Sequence, residues 1–301
     1  LDYGTEESLR IIREHAHELA AVLVEPVQSR RPEFLPAEFL RELRRITEES
    51  GTALIFDEVI SGFRFHPRGM QGILGIQADI GTYGKVAGGG ISIGIIAGKR
   101  RFMDALDGGH WSFGDDSIPE IGVTYFAGTF VRHPLALATT KASLEYLKAQ
   151  GPQLQETLNQ NTERLVQRMN AAARRYGTPI YVAHFGSLWK IKYHEEYPYS
   201  ELLFTVMRYK GIHIQDGFPC FLTTAHTDKD IEAIANAFEE SIVELVAAEF
   251  IPSSLPDAKE SSVGVIPPVP KARLGKDENG SPAWFIEDES KPGKYLKVVV
   301  E

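Results

Sequence analysis

Two side chains that can do chemistry together, Asp57 and Lys85, each follow a short apolar run. Asp57 ends the run 53–56, and Lys85 follows the run 80–83. If both runs are parallel strands, a carboxylate and an amine meet at the sheet edge where open α/β sheets bind ligands. A lysine amine can form a Schiff base with a cofactor aldehyde, and a carboxylate can keep a pyridinium nitrogen protonated. The protonated ring is then an electron sink for a carbanion.

The neighbours of Lys85 favour this chemistry over a solvated lysine at a strand end. Gly84 precedes it and three glycines follow at 88–90, so the backbone can approach a flat ring closely. For Asp57, the alternatives are a helix cap or a salt bridge to Arg64. Glu58 and Arg64 are interpreted as structural residues, paired with each other or with sequence outside this chain.

Four segments in order carry a family resemblance. They read AVLVEPVQS from residue 21, LIFDEVISGFR from 54, GKVAGGG from 84 and AGTFVRHPLALAT from 127. Together they resemble the class III aminotransferases, which use pyridoxal 5'-phosphate (PLP), and most of all the glutamate-1-semialdehyde aminomutase-like members. Aminotransferase domains embedded in polyketide and peptide synthetases are similar. The resemblance implies that Lys85 is the Schiff-base lysine and Asp57 the partner of the pyridinium nitrogen.

The same resemblance implies further cofactor contacts. Val59 would pack on a ring face, Gln28 would lie near the phenolic oxygen of PLP, and Glu25 would lie close to the cofactor. Gly128 and Thr129 would offer a backbone N–H and a hydroxyl to the phosphate bound by the neighbour in a homodimer. For Thr129, the alternative is a cap on the helix that follows.

Two departures from the family pattern bear on activity. The main phosphate-binding loop of the family belongs upstream of a strand like 20–25, and nothing here matches it. Helix N-termini bind anions strongly, so this part alone is expected to bind PLP poorly. The segment Gly217–Leu222 reads GFPCFL, without the glutamate that aminomutase relatives carry there. Its absence argues against semialdehyde isomerisation.

The helices and strands that would position these residues are predicted from hydrophobic periodicity and from helix caps and stops. Apolar runs predict buried strands at 20–25, 53–56, 80–83 and 91–98, since buried parallel strands are continuously apolar. Helical spacing, caps and stops predict helices at 5–19, 36–50, 134–148, 154–176, 200–209 and from 227. Further short strands are predicted at 180–184, 187–192, 212–214 and 221–223.

This order predicts the later part of a fold-type I PLP transferase. Residues 1–150 would form the later part of the PLP-binding large domain, with a mostly parallel mixed sheet. Residues 151–250 would form a connecting helix and a small C-terminal α+β domain. Residues 251–301 are rich in proline and charge and are interpreted as an extended linker with apolar islands at 284–286 and 295–300.

Composition narrows the class of protein. The 301 residues carry a formal charge of −9, which argues against nucleic acid or an anionic membrane as partner. Cys220 is the single cysteine, which fits a reducing cytoplasm. No apolar run approaches the roughly 20 residues of a membrane span, and the histidines show no metal-ligand spacing. The sequence opens without methionine, as expected for a piece of something longer.

The expected function is transamination from an amino acid donor to a keto or aldehyde acceptor. The acceptor is expected to be a β-keto acyl chain on an acyl carrier protein, with neighbouring synthetase domains as partners. Two alternatives stay open. One is an aminomutase of the glutamate-1-semialdehyde type, and the other is a truncated, non-catalytic scaffold segment of a synthetase.

Overall fold

The fold was taken from a computed structural model. It describes residues 1–108, 112, 114–118, 128, 131–195, 197–254, 273–276, 282–287 and 295–297. Within them lie two packed lobes and a separate short sheet. The large lobe comes first in the chain and the small lobe second.

A four-stranded sheet forms the centre of the large lobe, in the order β1-β2-β3-β4. Its strands are β1 Ala21–Val24, β2 Ala53–Asp57, β3 Ile80–Gly84 and β4 Gly94–Gly98. The first three run parallel, and β4 pairs with β3 in the antiparallel sense. The predicted mixed, mostly parallel sheet is therefore confirmed, and the carboxyl ends of β1, β2 and β3 share one edge.

Helices of the large lobe bury apolar side chains in one core together with this sheet. They are α1 Glu6–His15, α2 Ala37–Ser50 and the short α3 Gly69–Leu74. In α2, Leu40, Leu43 and Ile46 are all buried in the core that also holds Leu54 and Phe56 of β2. Amphipathic spacing thus places the connection between β1 and β2 on the sheet face.

After β4 the chain forms α4 Arg100–Met103 and a 3₁₀ turn at Asp104–Asp107. The long helix α5, Pro134–Gln150, has proline in its first turn, where no backbone donor is needed. Its Ser143 hydroxyl donates to the carbonyl of Val86 at 3.0 Å. Helix α5 is thereby fixed beside the turn that follows β3.

The small lobe is an α+β unit with its own core. It consists of α6 Gln153–Arg175, β5 Ile180–Phe185, β6 Leu188–Tyr193, α7 Leu202–Tyr209, β7 Cys220–Phe221 and α8 Asp228–Ala247. The three strands pair antiparallel in the order β5-β6-β7. Buried side chains of α6, α7 and α8 pack on one face of this sheet. Its other face is turned toward the large lobe.

Three more strands lie in the proline-rich tail. They are β8 Arg273–Lys276, β9 Pro282–Glu287 and β10 Tyr295–Lys297, paired antiparallel in the order β10-β9-β8. The interpretation of 251–301 as an extended linker did not include these strands. The predicted apolar island at 284–286 falls on β9, and the described part of the island at 295–300 falls on β10.

Candidate active site

Asp57 is the last residue of β2, and its carboxylate is held by two neutral donors. Its Oδ1 accepts the backbone N–H of Val59 at 3.0 Å and the hydroxyl of Thr82 at 3.1 Å. Thr82 lies opposite Asp57 in the β2–β3 register. Oδ2 accepts no hydrogen bond from the described residues. One oxygen thus orients the group, and the other is available to a ligand donor such as a ring N–H. The alternative of a salt bridge to Arg64 is not found within the described part of the chain.

Lys85 leaves the same edge one strand further on. It directly follows β3 and begins the 3₁₀ turn Lys85–Gly88. Its φ is +45°, a conformation that side-chain-bearing residues rarely adopt. Strain of this kind persists only where surrounding contacts fix it, and it clusters at functional sites. Its side chain is exposed.

The turn after Lys85 is fixed by close packing on α5. Gly89 has φ +58°, and a Cβ at this position would lie 3.2 Å from the carbonyl oxygen of Thr139 and from Cβ of Ser143. Glycine is needed here on both counts. Of the three glycines, Gly89 therefore serves the docking of this turn on α5.

Glu25 brings a third ionisable group to this edge. It follows β1, and the preceding pair Val24–Phe56 places it level with Asp57 on the neighbouring strand. Burial raises the pKa of Glu25, and the charge of Asp57 raises it further. The hydrogen bond that the N–H of Ser29 donates to its carboxylate at 3.2 Å lowers the pKa, as do the charges of Arg30 and Lys85. The structure thus brings Glu25, Asp57 and Lys85 together at three adjacent strand ends. This is the arrangement that sequence reasoning expected for a ligand site at the carboxyl edge.

Val59 and Gln28 lie at the same edge. A Cβ built on Gly84 would lie 3.5 Å from Cγ1 of Val59, so the valine side chain borders the strand end that carries Lys85. Gln28 is half-buried in the loop after β1, and its amide has no hydrogen-bond partner among the described residues. Both positions are compatible with the cofactor contacts that the resemblance implied.

The predicted phosphate segment lies elsewhere. Gly128 borders a cavity of about 730 Å³ between β4 and the start of α5, with Ile93, Val131 and Ala136 among its lining. Neither Lys85 nor Asp57 lines this cavity. Thr129 lies outside the described residues, so its role stays a prediction.

Glu58 and Arg64 each contact other residues. Pairing with each other, one of the two alternatives predicted for them, is not found among the described residues. The carboxylate of Glu58 is fully buried and accepts the N–H of Met70 at 2.7 Å, at the start of α3. Burial raises its pKa, against the lowering effect of its hydrogen bonds. The Arg64 guanidinium lies 4.0 Å from the ring centroid of Phe221 in β7.

Sequence reasoning missed the residues that hold the site in place. Thr82 and Ser143 each make one hydrogen bond that fixes Asp57 or the Lys85 turn. A hydroxyl in a strand or a helix carries no signal of such a role by itself. Strand register could have indicated Thr82, because it is the neighbour of Asp57 once β2 and β3 are paired.

Comparison with protein families gives one match across most of the chain. Residues 2–240 match the family model described as Aminotransferase class-III. A glutamate-1-semialdehyde 2,1-aminomutase of Ruminiclostridium cellulolyticum is 33% identical over 253 residues, which cover 79% of this chain and 55% of the relative. The aminomutase of Pyrobaculum calidifontis is 39% identical over 183 residues, 60% of this chain and 38% of the relative. The chain thus spans about half the length of the first of these relatives.

Solved structures show the same likeness. A structure described as a transaminase with PLP bound matches with a TM-score of 0.70 and 31% identity, covering 81% of this chain and 56% of that one. A β-phenylalanine aminotransferase from Variovorax paradoxus matches with a TM-score of 0.70 and 27% identity, covering 85% and 59%. These neighbours confirm the predicted fold class. Among the described helices, none is long and apolar enough to cross a bilayer.

Proposed function

This chain belongs to the class III aminotransferases, and from that premise we propose that it carries the catalytic lysine of a PLP-dependent aminotransferase. The observation that supports this most is the juxtaposition of Asp57 and Lys85 at adjacent parallel strand ends, with Oδ2 of Asp57 open. A neutral hydroxyl and a backbone N–H orient the aspartate without neutralising it.

The residues at this edge fit PLP. When bound, PLP supplies an aldehyde that reacts with amines and a protonated ring that accepts electron density. Asp57 would hold the ring N–H through Oδ2, Lys85 would hold the aldehyde carbon, and Val59 would border the ring. Gln28, with its unpartnered amide, and Glu25 would lie on the side of the β1 loop.

In the proposed reaction, this chain's own groups orient the substrate and move a proton. The Nζ atom of Lys85 would take the proton from the donor's α-carbon. In the second half of the reaction, it would give a proton to the carbon of the acceptor that receives the amino group. Asp57 keeps a positive charge on the ring nitrogen through the negative charge it presents. The donor would leave as an oxo acid whose new oxygen comes from water. Its amino group would pass to the acceptor, whose carbonyl oxygen leaves as water.

For the substrates, we propose an amino acid donor such as glutamate or glutamine and a β-keto acyl acceptor on an acyl carrier protein. The sequence segment Gly217–Leu222 supports an apolar acceptor, since it has no acid and since Phe218 is 56% exposed just before β7. Neighbouring synthetase domains would deliver the carrier. The single cysteine supports a reducing compartment such as the cytoplasm.

For the assembly, we propose a homodimer in which Gly128 and Thr129 reach the phosphate bound by the second copy. Gly128 has φ +157° and is exposed, so its backbone is accessible to a neighbour. Mixing a Thr129 variant with a Lys85 variant of the full-length protein should restore part of the activity through hybrid dimers. Hybrid dimers that form without restoring activity would place each site within one chain.

A second candidate is an aminomutase, because the relatives at 33% identity carry that name. Incubation of the full-length protein with glutamate 1-semialdehyde distinguishes the two. Formation of the isomer whose amino group has moved from C2 to C1, without an added amino donor, would favour the aminomutase. Consumption of an amino donor with release of its oxo acid would favour the aminotransferase.

The proposed function is tested by a half-reaction with the full-length protein loaded with PLP. Addition of L-glutamate without an acceptor should change the cofactor absorbance and release an oxo acid in proportion to the enzyme. Lys148→Ala, an exposed lysine on α5, is the matched control for Lys85→Ala and should behave as wild type. No oxo acid from glutamate, glutamine or alanine would overturn the proposal. A protein that binds PLP and never reacts with donors would instead support the scaffold alternative.

A further inference from the structure

Two polar cavities of the large lobe share the loop 75–77, which leads from α3 toward β3. The first has a volume of about 330 Å³, and its charged lining residues are Arg41, Arg44, Glu48 and Lys99. The second has a volume of about 480 Å³, and its charged lining residue is Arg68. Four cations and one carboxylate thus line the two cavities, which together are called the basic groove.

Two of the lining cations meet at Asp79, whose side chain is fully buried. Arg44 and Lys99 each place a nitrogen 2.8 Å from its oxygens, and a nitrogen of Arg101 lies 3.8 Å away. One carboxylate thus has three cations around it, so the cluster carries a surplus of two positive charges. Lys99 and Arg101 are 36% and 56% exposed, so an anion from solvent can reach these cations but not the carboxylate. A bound anion would reduce the repulsion among them.

Arg44 has hydrogen-bond donors that no described residue uses. Its Nη1 donates to the carbonyl of Gln77 at 3.2 Å and to the carboxylate of Asp79. Its Nε is buried, and neither Nε nor Nη2 has a hydrogen-bond partner in the part of the chain that the structure describes. Buried donors without a partner are uncommon. The guanidinium therefore keeps hydrogen-bond capacity for an acceptor at the cavity that it lines.

The other lining arginines are more exposed. Arg41 lies one turn before Arg44 on the same face of α2 and forms an ion pair with Glu38. Arg68 is exposed, and it forms no ion pair among the described residues. Glu48, the one lining carboxylate, is also exposed, so water weakens its repulsion of an anion. Cations therefore outnumber carboxylates at the groove even when the ion-paired acids are counted.

The basic groove lies one strand length from the candidate active site. Asp79 directly precedes β3, and Lys99 directly follows β4, which is antiparallel to β3. Both therefore lie at the amino end of β3, whereas Lys85 follows its carboxyl end. The five residues of β3 span about 17 Å. A ligand of the groove is thus separate from the group that Asp57 and Lys85 would hold.

We propose that the basic groove binds a diphosphate group. A guanidinium matches phosphate oxygens with two parallel N–H donors, and three of the four lining cations are arginines. Because both cavities adjoin one loop, each can take one phosphate of the same group. No aromatic ring is among the described lining residues, so charge and N–H donors carry the recognition and base stacking does not. The inference goes beyond the proposed function and depends on neither PLP nor Lys85.

Calorimetric titration of the full-length protein with pyrophosphate tests the inference. PLP is kept in excess so that any site for the cofactor phosphate is filled, and KCl holds the ionic strength constant. Pyrophosphate should bind with saturation. It should bind at least about tenfold more tightly than orthophosphate, because its second phosphate gains charged hydrogen bonds in the second cavity.

Two variants remove one cation from each cavity at exposed positions. Arg41→Gln and Arg68→Gln should each weaken pyrophosphate binding at least about tenfold, the usual effect of losing one charged hydrogen bond. Arg68→Lys should recover part of the loss. Arg174→Gln is the matched control, because Arg174 on α6 is exposed and, like Arg68, forms no ion pair among the described residues. This control should bind pyrophosphate as wild type does.

Three results would overturn the assignment. They are equal pyrophosphate affinity in wild type and in both folded variants, no saturation below about 10 mM, and equal affinity for orthophosphate and pyrophosphate. ADP distinguishes two sources of the diphosphate group. Equal or tighter binding of ADP that depends on Arg68 would assign the group to a nucleotide, and weaker binding would assign it to free pyrophosphate. Each of these results is independent of whether Lys85 reacts with PLP.

Discussion

The two ends of the central sheet each carry an aspartate, and the two carboxylates have opposite surroundings. Asp79 precedes β3 at the amino end and is fully buried. Arg44 and Lys99 each place a nitrogen 2.8 Å from its oxygens, and the N–H of Leu54 donates to it at 2.9 Å. Asp57, at the carboxyl end, is half-buried and contacts one hydroxyl and one backbone N–H.

This difference separates a structural carboxylate from one that is proposed to be functional. The charge of Asp79 is balanced within the fold by Arg44 and Lys99, so it contributes to stability. Asp57 keeps one oxygen available at the strand end adjacent to that of Lys85. Both residues are aspartates at the ends of strands in one sheet, so residue type does not distinguish them. A carboxylate oxygen without a hydrogen-bond donor therefore indicates the candidate site better than residue type does.

The largest stability effect is expected at the amino end. Asp79→Asn keeps the shape but leaves Arg44 and Lys99 without their anion, which should lower the free energy of unfolding by about 3 kcal/mol. Burial alone would raise the pKa of Asp79, but its contacts with Lys99, Leu54 and Arg44 outweigh burial and lower it. Its contribution is therefore present above the unfolded pKa and lost as pH falls. Urea unfolding should show the variant's deficit shrinking below about pH 4.

An aspartate-to-asparagine change at the carboxyl end of the sheet, Asp57→Asn, should lower the reaction rate and leave the free energy of unfolding nearly unchanged. In the full-length protein, Asp57→Asn should lower the rate of amino transfer about 10²-fold, by analogy with the loss of one preorganised electrostatic group. Its unfolding free energy should change by less than about 1 kcal/mol, because the group has only neutral partners. A rate change under about threefold would remove Asp57 from the mechanism and break the contrast between the two ends.

A smaller effect is expected in the small lobe, just before β7. Phe218→Glu places a charge in an apolar, exposed segment before β7 and should weaken the preference for a long acyl acceptor by about 1 kcal/mol, the contribution of one or two buried CH₂ groups. The measurement compares kcat/KM for a carrier-bound β-keto acyl chain and for pyruvate. Unchanged selectivity in the variant would show that this segment does not choose the acceptor.

The smallest effect isolates the strain at Lys85. Since its φ is +45°, Lys85→Gly should raise the free energy of unfolding by up to about 1 kcal/mol while it removes the reactive amine. Lys85→Ala, which keeps the strain, is the matched comparison. If the two variants unfold at the same urea concentration, the backbone conformation at Lys85 has no measurable cost in the free energy of unfolding.

Much of the site was predictable because its key residues lie at strand ends. Short apolar runs followed by a polar residue locate Asp57 and Lys85 from local sequence, and adjacent strands then bring them together. Thr82 and Ser143 were not predictable in this way, since their hydrogen bonds depend on register and on packing of α5. Their contribution exists only in the tertiary structure.

The fold was predicted less well where hydrogen-bond partners decide between strand and coil. A strand was expected at 212–214, and that prediction is wrong. The N–H of Ile212 donates to the carbonyl of Met207, and the carbonyl of Ile214 accepts from Arg208, so both bond back to α7 rather than to a neighbouring strand. The converse holds in the tail, where proline and charge suggested a linker and β8, β9 and β10 pair with one another.

If the carboxyl edge of β1–β3 holds PLP through Lys85, reductive trapping should modify that lysine. The full-length protein is mixed with PLP, reduced with borohydride and digested, and the modified lysine is identified by mass spectrometry. The label should lie on Lys85, be lost in Lys85→Ala and be retained in the control Lys148→Ala. A label on another lysine, or equal labelling after Lys85→Ala, would contradict it.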